Sequence, residues 1–256
     1  MHAVWLGVFV IGCDTSDNIE SLQGDVEDLQ GQVDALTTQL AAAEATIADD
    51  SRLSSLESTI DSLSALAAVV TISGEDVVIS GANLYIQSGS GSTTGDVNGK
   101  GNLIIGYDED NGDTKSGSHN LIVGPYHTYT GFSGVALGQD HELSGPMAAI
   151  TGGIENVASG SYVSVSGGSG NVADGYGSHI GGGEGNTTNS QYGAILGGGS
   201  NMTEGTAGTV SGGRSNTASG EYSSVSAGYS NVSSGDYTSI YGSSGLSATE
   251  SYDVLP

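Results

Sequence analysis

The side chains able to do chemistry in this sequence are five histidines, one acidic loop and a column of tyrosines. His2, His119, His127, His141 and His179 are scattered along the chain, and no catalytic constellation forms around them. His127 and His141 fall in one repeat column, where they would stack one rung apart as turn residues; a shared metal ion is the sharper alternative. The run Asp108-Glu109-Asp110-Asn111-Gly112-Asp113 offers the oxygen ligands that Ca2+ takes, with Asp108, Asp110, Asn111 and Asp113 as the candidate set. Set against the twelve-residue calcium loop, its Gly comes one residue early and the closing Glu is absent, which favours a solvated insertion. Tyr162, Tyr192, Tyr222 and Tyr237 share another column. Exposed, they would stack on a glycan or grip a protein; folded down, they would cover glycine-rich backbone or line a contact between copies.

These residues sit on a repeat of fifteen. From Ser144 the rows read SGPMAAITGGIENVA, SGSYVSVSGGSGNVA and onward to SGDYTSIYGSSGLSA, ending at Ala248. Position two is Gly in all but one row (Gly145, Gly160, Gly175, Gly205, Gly220, Gly235). Position seven is β-branched throughout (Ile150, Val165, Ile180, Ile195, Val210, Val225, Ile240). Position ten is Gly, and position thirteen Asn, until the last row (Asn156, Asn171, Asn186, Asn201, Asn216, Asn231). Upstream, segments starting at Gly101, His119 and Ser133 continue the pattern with altered spacing. There Leu103/Ile105, Leu121/Val123 and Val135/Leu137 are expected as paired inward positions. About ten rows result.

A period this short is the mark of a solenoid, in which each row is one turn packed on its neighbours. The β-branched column suits a stacked strand. The Gly columns suit corners that need positive φ or close backbone approach. The Asn column suits a turn ladder, in which amides satisfy backbone groups and stack.

Ahead of the repeats, Ile19, Leu22, Val26, Leu29, Val33, Leu36, Leu40, Ala43 and Ile47 alternate by three and four. Leu53, Leu56, Ile60, Leu63 and Ala67 resume one residue early, after a break at Asp49-Asp50-Ser51. The spacing predicts a coiled-coil stalk over residues 19–68, and residues 69–72 and 76–79 read as strands of a β-rich neck over 69–99. Residues 3–11 form an apolar run too short to span a bilayer, and Val10-Ile11-Gly12-Cys13 resembles a bacterial lipobox. That resemblance implies a lipoprotein signal peptide over 1–12, a diacylglycerol on Cys13 and a lipidated tether over 13–18. The protein would then be held in the cell envelope on a bacterial membrane, exposed at the surface. Met1-His2 lacks the basic residues usual in a signal. Cys13 is the single cysteine, so a disulfide within one chain is impossible.

Composition sets the limits. With 44 Gly but only two Phe and one Trp, a thin core repeated many times is expected rather than one broad core. The 29 acidic residues face only Arg52, Lys100, Lys115 and Arg214, a net charge of −25. That balance excludes nucleic acid as a partner, because phosphate neutralisation needs clustered Lys or Arg. It reads as solubility in a salty exterior, with divalent cations bridging surface acids as the alternative.

The rows resemble the left-handed β-roll heads of trimeric autotransporter adhesins of the YadA type. Asn216-Thr217-Ala218-Ser219-Gly220 followed by Ser223-Ser224-Val225 carries the likeness, which extends over roughly residues 100–248. The resemblance implies a homotrimer that binds host or environmental surfaces. Three features depart from it: the period is fifteen where the family commonly has fourteen, anchor and stalk precede the head, and no membrane barrel is expected after Pro256.

The expected protein is therefore mainly β. It has a left-handed parallel β-roll or β-solenoid head over 100–248, an N-terminal α-helical coiled-coil stalk, and a tail over 249–256. Its expected role is non-enzymatic, adhesin-like display toward glycans or proteins, as a homo-oligomer and, by the resemblance, a trimer. One alternative is an ice-binding solenoid using outward ladders such as Ser164/Ser166, Thr209/Ser211 and Ser224/Ser226. Another is a tailspike-like fibre that processes a polysaccharide or binds a receptor.

Overall fold

The computed structural model describes residues 15–48 and 51–256. The segment 1–12 expected as a signal peptide, Cys13 expected to be lipidated, and Asp49-Asp50 of the heptad break lie outside the described residues. The chain divides into two units, one ending at Leu84 and one spanning Tyr85–Pro256.

The first unit contains helices α1 (Thr15–Ala48) and α2 (Ser51–Val69). Both are rich in Leu, Ala, Glu, Asp and Ser and contain no Pro, so nothing interrupts the i to i−4 bonding. The heptad residues Ile19, Leu22, Val26, Leu29, Val33, Leu36, Leu40, Ile47, Leu53, Leu56, Ile60 and Leu63 stand 50–69% exposed. An apolar stripe of this kind gains its stability from a partner surface, not from helix propensity alone. Strands β1 (Val70–Ser73) and β2 (Asp76–Ile79) then form an antiparallel hairpin with Val70 opposite Ile79. Gly74 opens its two-residue loop at φ 65°, the positive value such loops require.

The second unit is a parallel β-solenoid of about ten turns. One ladder runs through eleven strands from Leu103–Ile105 to Val254–Leu255, and a second through nine strands from Thr128–Tyr129 to Ser247–Ala248. A third face is a line of single bridges, Gln139–Ile154–Ser169–Glu184–Gly199–Arg214–Tyr229–Ser244. Each fifteen-residue row therefore contributes one rung to each of three faces. Val165 pairs with Ile150 and Ile180, and Ala173 with Ala158 and Thr188.

The core is a narrow column with few large side chains. All seven β-branched residues of position seven are fully buried. Opposite them, at position fifteen, stand small residues, among them Ala158, Ala173, Thr188, Thr203 and Ala218, also fully buried. Glycine at position two has a different reason from glycine at position ten. At Gly220 an added Cβ would collide with the carbonyl oxygen of Gly235 in the next turn. At Gly183 the backbone turns at φ 92°, and a Cβ would strike the Gly198 carbonyl as well.

Two expectations are corrected. In the early turns the inward residue is the middle of each strand: Ile122 and Ala136 are fully buried, while Leu121, Val123, Val135 and Leu137 are half-buried on the outer surface. Ala136 lies beside Ile150, which fixes the register. Alternation of side chains across a strand then forces both neighbours outward. Ile104 pairs with Ile122 in the same way, so Leu103/Ile105 are not the inward pair either. Residues 249–256, expected as a tail beyond the repeat, supply another rung, in which Leu255 pairs with Ile240.

Candidate functional site

Position thirteen forms a continuous internal ladder. The Asn156 amide oxygen accepts the backbone N–H of Asn171 at 3.0 Å, and each later Asn repeats this one turn on, ending with Asn231 accepting from Leu246 at 2.9 Å. The amide nitrogens donate to carbonyls four residues back and twelve residues on; Asn186 Nδ2 reaches Gly182 O at 3.0 Å and Gly198 O at 3.1 Å. All six asparagines are buried, so these bonds pair their amides and the neighbouring backbone inside the solenoid.

His127 and His141 continue the same column. Their rings stack with centroids 5.3 Å apart. His127 Nδ1 accepts the N–H of His141 at 3.2 Å, and His141 Nδ1 accepts the N–H of Asn156 at 3.1 Å. A backbone N–H can only donate, so each Nδ1 is unprotonated and the proton sits on Nε2. Nε2 of His127 donates to Val123 O at 3.2 Å, and Nε2 of His141 to Leu137 O at 3.0 Å. Each neutral imidazole thus supplies one acceptor and one donor, as an Asn amide does, and no ring nitrogen is left to hold a metal. Burial, with His127 alongside, pushes the His141 pKa down to about 4, against the opposing pull of the Leu137 carbonyl and Asp140.

The acidic insertion is closed by its own lysine. Lys115 Nζ lies 3.2 Å from Asp108 Oδ1 and donates to the carbonyls of Asp108 and Glu109. The buried Tyr129 hydroxyl donates to Asp108 Oδ2 at 3.0 Å. Burial first, then that bond and the Asp108 charge, push the Tyr129 phenol well above its ordinary range. Asp110 Oδ1 accepts the N–H groups of Asp113 and Gly112, both at 2.9 Å, which hold its carboxyl below the usual range. Asp113 Oδ2 accepts the Asn111 N–H at 3.2 Å. Among the described residues no three His, Cys, Asp or Glu converge on a point that would hold a metal ion. Asp108, Asp110, Asn111 and Asp113 are thus not brought around one centre, and an ammonium stands beside the first of them.

The tyrosine column lies on the surface at position four, where the backbone turns left-handed. Tyr162, Tyr192, Tyr222 and Tyr237 have φ of 55–60°. Each N–H donates to a position-three carbonyl one turn earlier, as Tyr237 does to Glu221 O at 2.8 Å. The structure adds two rings that the column pattern does not contain. Tyr176 stands one residue early, because Gly177 occupies the left-handed position of its row, and packs edge-on between Tyr162 and Tyr192 at 5.4 and 5.7 Å. Tyr252 stacks on Tyr237, which stacks on Tyr222. Six rings, each 46–73% exposed, therefore line one flank in two groups of three. Tyr192 also covers backbone, since a Cβ on Gly177 would meet its ring at 3.1 Å.

The remaining candidates are placed as follows. His119 Nε2 accepts the Ser88 N–H at 3.1 Å at the start of the solenoid, beside a cavity of about 300 Å³ lined by Tyr85, Gln87 and Thr93 among others. His179 bonds Ser164 Oγ at 2.8 Å on the outer face of the eleven-stranded ladder. That face carries the Ser/Thr pairs, but His179, Leu196 and Tyr241 interrupt it. Among the described residues no helix is long and apolar enough to cross a membrane. No protein-family model matches this chain, and no curated protein shows significant similarity to it.

Proposed function

We propose that this chain is a non-enzymatic, adhesin-like binding protein that presents the tyrosine flank of its solenoid to glycans or proteins at a cell surface. The observation that carries the reading is that flank: six ordered, exposed rings on a scaffold whose backbone and buried amides are otherwise bound internally. A β-solenoid repeat is consistent with a structural or adhesin-like role, because its surface columns repeat a side chain at a fixed pitch. Contiguous exposed aromatic surface is a feature often used for recognition. The exposed heptad seam supports self-association, with three copies favoured by the resemblance of the head. The lipobox resemblance at Cys13 supports a lipid anchor in the cell envelope.

The test is a glycan and matrix-protein array probed with the purified protein and with a Tyr162/Tyr192/Tyr222/Tyr237→Ser variant. The wild-type is expected to bind a defined subset and the variant to lose it while keeping its circular dichroism. Retention of binding by the variant would discard the flank as the site. Light scattering on the same sample is expected to give the mass of a trimer, and a monomer would remove the self-association reading.

A further inference from the structure

The two aromatic groups on the flank differ, and the difference points to a ligand for one of them. In the C-terminal group the rings of Tyr222, Tyr237 and Tyr252 lie nearly parallel, with centroids 5.2 and 5.3 Å apart and interplanar angles of 15° and 8°. Both faces of Tyr237 are covered by neighbouring rings, so a sugar ring could lie only on the outer face of Tyr222 or of Tyr252, at the two ends of the row. What remains open is a row of ring edges and hydroxyls, and among the described residues no hydrogen bond engages these three hydroxyls.

The adjoining column, position three, carries Glu221 and Asp236, both exposed and one turn apart. Asp236 Oδ1 accepts the Glu221 N–H at 3.0 Å, which sets the two carboxylates on consecutive rungs. Their charge, after partial desolvation by the stacked rings, pushes the Tyr237 phenol above its ordinary range. Between residues 144 and 256 the single basic residue is Arg214, and it stands in the bridge ladder at position eleven, a different column. In the other group Tyr162, Tyr176 and Tyr192 meet edge-to-face, and the position-three neighbours Ser161 and Gln191 are neutral.

A column of phenol oxygens beside a column of carboxylates, repeating once per turn, is a surface of acceptors in a negative field. Its complement is a row of ammonium donors at the same pitch. Amines joined by three extended carbons lie about 5 Å apart, given single bonds near 1.5 Å. We propose that Tyr222, Tyr237 and Tyr252 with Glu221 and Asp236 form a binding site for linear polyamines of three-carbon spacing. The ammonium groups donate to the carboxylates and phenol oxygens, and the methylenes lie along the ring edges. The proposal rests on the reading of the tyrosine flank as a binding surface and names the ligand class of half of it.

The test uses the full-length protein with 13C-labelled tyrosine rings, titrated with bis(3-aminopropyl)amine, with 1,6-diaminohexane as the mismatched amine and chitotriose as the neutral glycan. The triamine is expected to give saturable shifts at Tyr222, Tyr237 and Tyr252 but not at Tyr162, Tyr176 and Tyr192. Two exposed charge pairs are removed in the Glu221→Gln/Asp236→Asn variant, which should weaken binding about tenfold. Non-saturating shifts spread over both groups would reduce the effect to counterion attraction and overturn the proposal. Equal binding by the double variant, or by the six-carbon diamine, would overturn it too. If chitotriose or an array ligand moves either group while the triamine moves none, the binding surface stands and the polyamine assignment falls. If no ligand moves any ring, both fall together.

Discussion

In α1 and α2 every large heptad side chain is half exposed or more, whereas in the solenoid the Ile and Val of position seven are wholly buried in all seven rows from Ser144 to Ala248. The helices place one apolar residue every three or four along a stripe that nothing in their unit covers. The solenoid places one every fifteen, and the chain itself returns to cover it. Cohesion in the second unit is thus intramolecular and nearest-neighbour. In the first, an exposed apolar stripe of this kind is the pattern that a partner surface stabilises. The two units should therefore answer differently to the same perturbations.

The largest effect is expected inside the solenoid. Asn186→Leu leaves the Asn201 N–H and the Gly182 carbonyl without the bonds that Asn186 supplies, while the Gly198 carbonyl keeps the Glu184 N–H. Two backbone groups left unpaired, with the lost contact to Gly198, should cost about 4 kcal/mol, read as a lowered urea midpoint for the β signal. A cost under about 1 kcal/mol would mean that water satisfies this column, and the ladder would lose its structural role. The helical signal should not move with it.

Next comes the seam. Leu36→Asp puts a charge among the exposed heptad residues, which costs about 0.5 kcal/mol of helix propensity on an isolated helix surface but about 3 kcal/mol at a packed coiled-coil position. Helicity at 222 nm should fall in the variant, and in the wild-type it should fall on dilution while the solenoid melts at a concentration-independent temperature. Helicity indifferent to both dilution and substitution would make the helices self-sufficient and erase the contrast between units.

Much of this contrast can be read in the amino-acid order, but unevenly. The heptads and the β-branched, Gly and Asn columns recur at fixed spacing and identify helices, strands and corners directly. Position fifteen does not stand out, because Ala, Thr and Ser look like surface residues. Inside the solenoid their hydroxyls find each other: Thr188 Oγ1 donates to Ser178 Oγ at 2.8 Å. Hydropathy misleads in the early strands: Val135 and Leu137 are more apolar than Ala136 between them, yet register decides which side of a strand faces in. Tyr176 hides one residue out of column, and Tyr252 hides in a row that carries Glu250 where position two is mostly Gly. Lys115 closes the acidic loop through a tertiary ion pair that spacing alone does not encode.

Within the solenoid, the turns closed by histidine should differ from those closed by asparagine in acid. The native pKa of His141, about 4, lies below its ordinary value of 6.5. The unfolded chain therefore binds the proton more readily, and the stability conferred by the neutral ring is complete above pH 6.5 and drains away as pH falls toward 4. At pH 5 the loss should be about 2 kcal/mol relative to pH 7.5. A His127→Asn/His141→Asn variant keeps an acceptor and a donor at each rung and should lose most of that difference. The many carboxylates titrate equally in both proteins, so the comparison isolates the imidazoles. An identical pH dependence in the two would show that the rings open to solvent before they charge.

The smallest effect is expected on the flank, and its smallness is informative. A tyrosine at φ 58°, as at Tyr237, carries a backbone cost of about 1 kcal/mol that glycine does not. Gly177 fills the same position of its row at φ 64°. Stacking between exposed rings returns about 0.5–1.5 kcal/mol, so the two terms nearly cancel. Tyr237→Gly should therefore change the unfolding free energy by less than about 1 kcal/mol in either direction. A larger loss would make the rings part of what holds the turns together and would weaken the case that they face a ligand. A near-neutral result leaves the column without a structural reason to hold bulky rings in a conformation that favours glycine, which is the pattern expected of side chains kept for what they touch outside the chain.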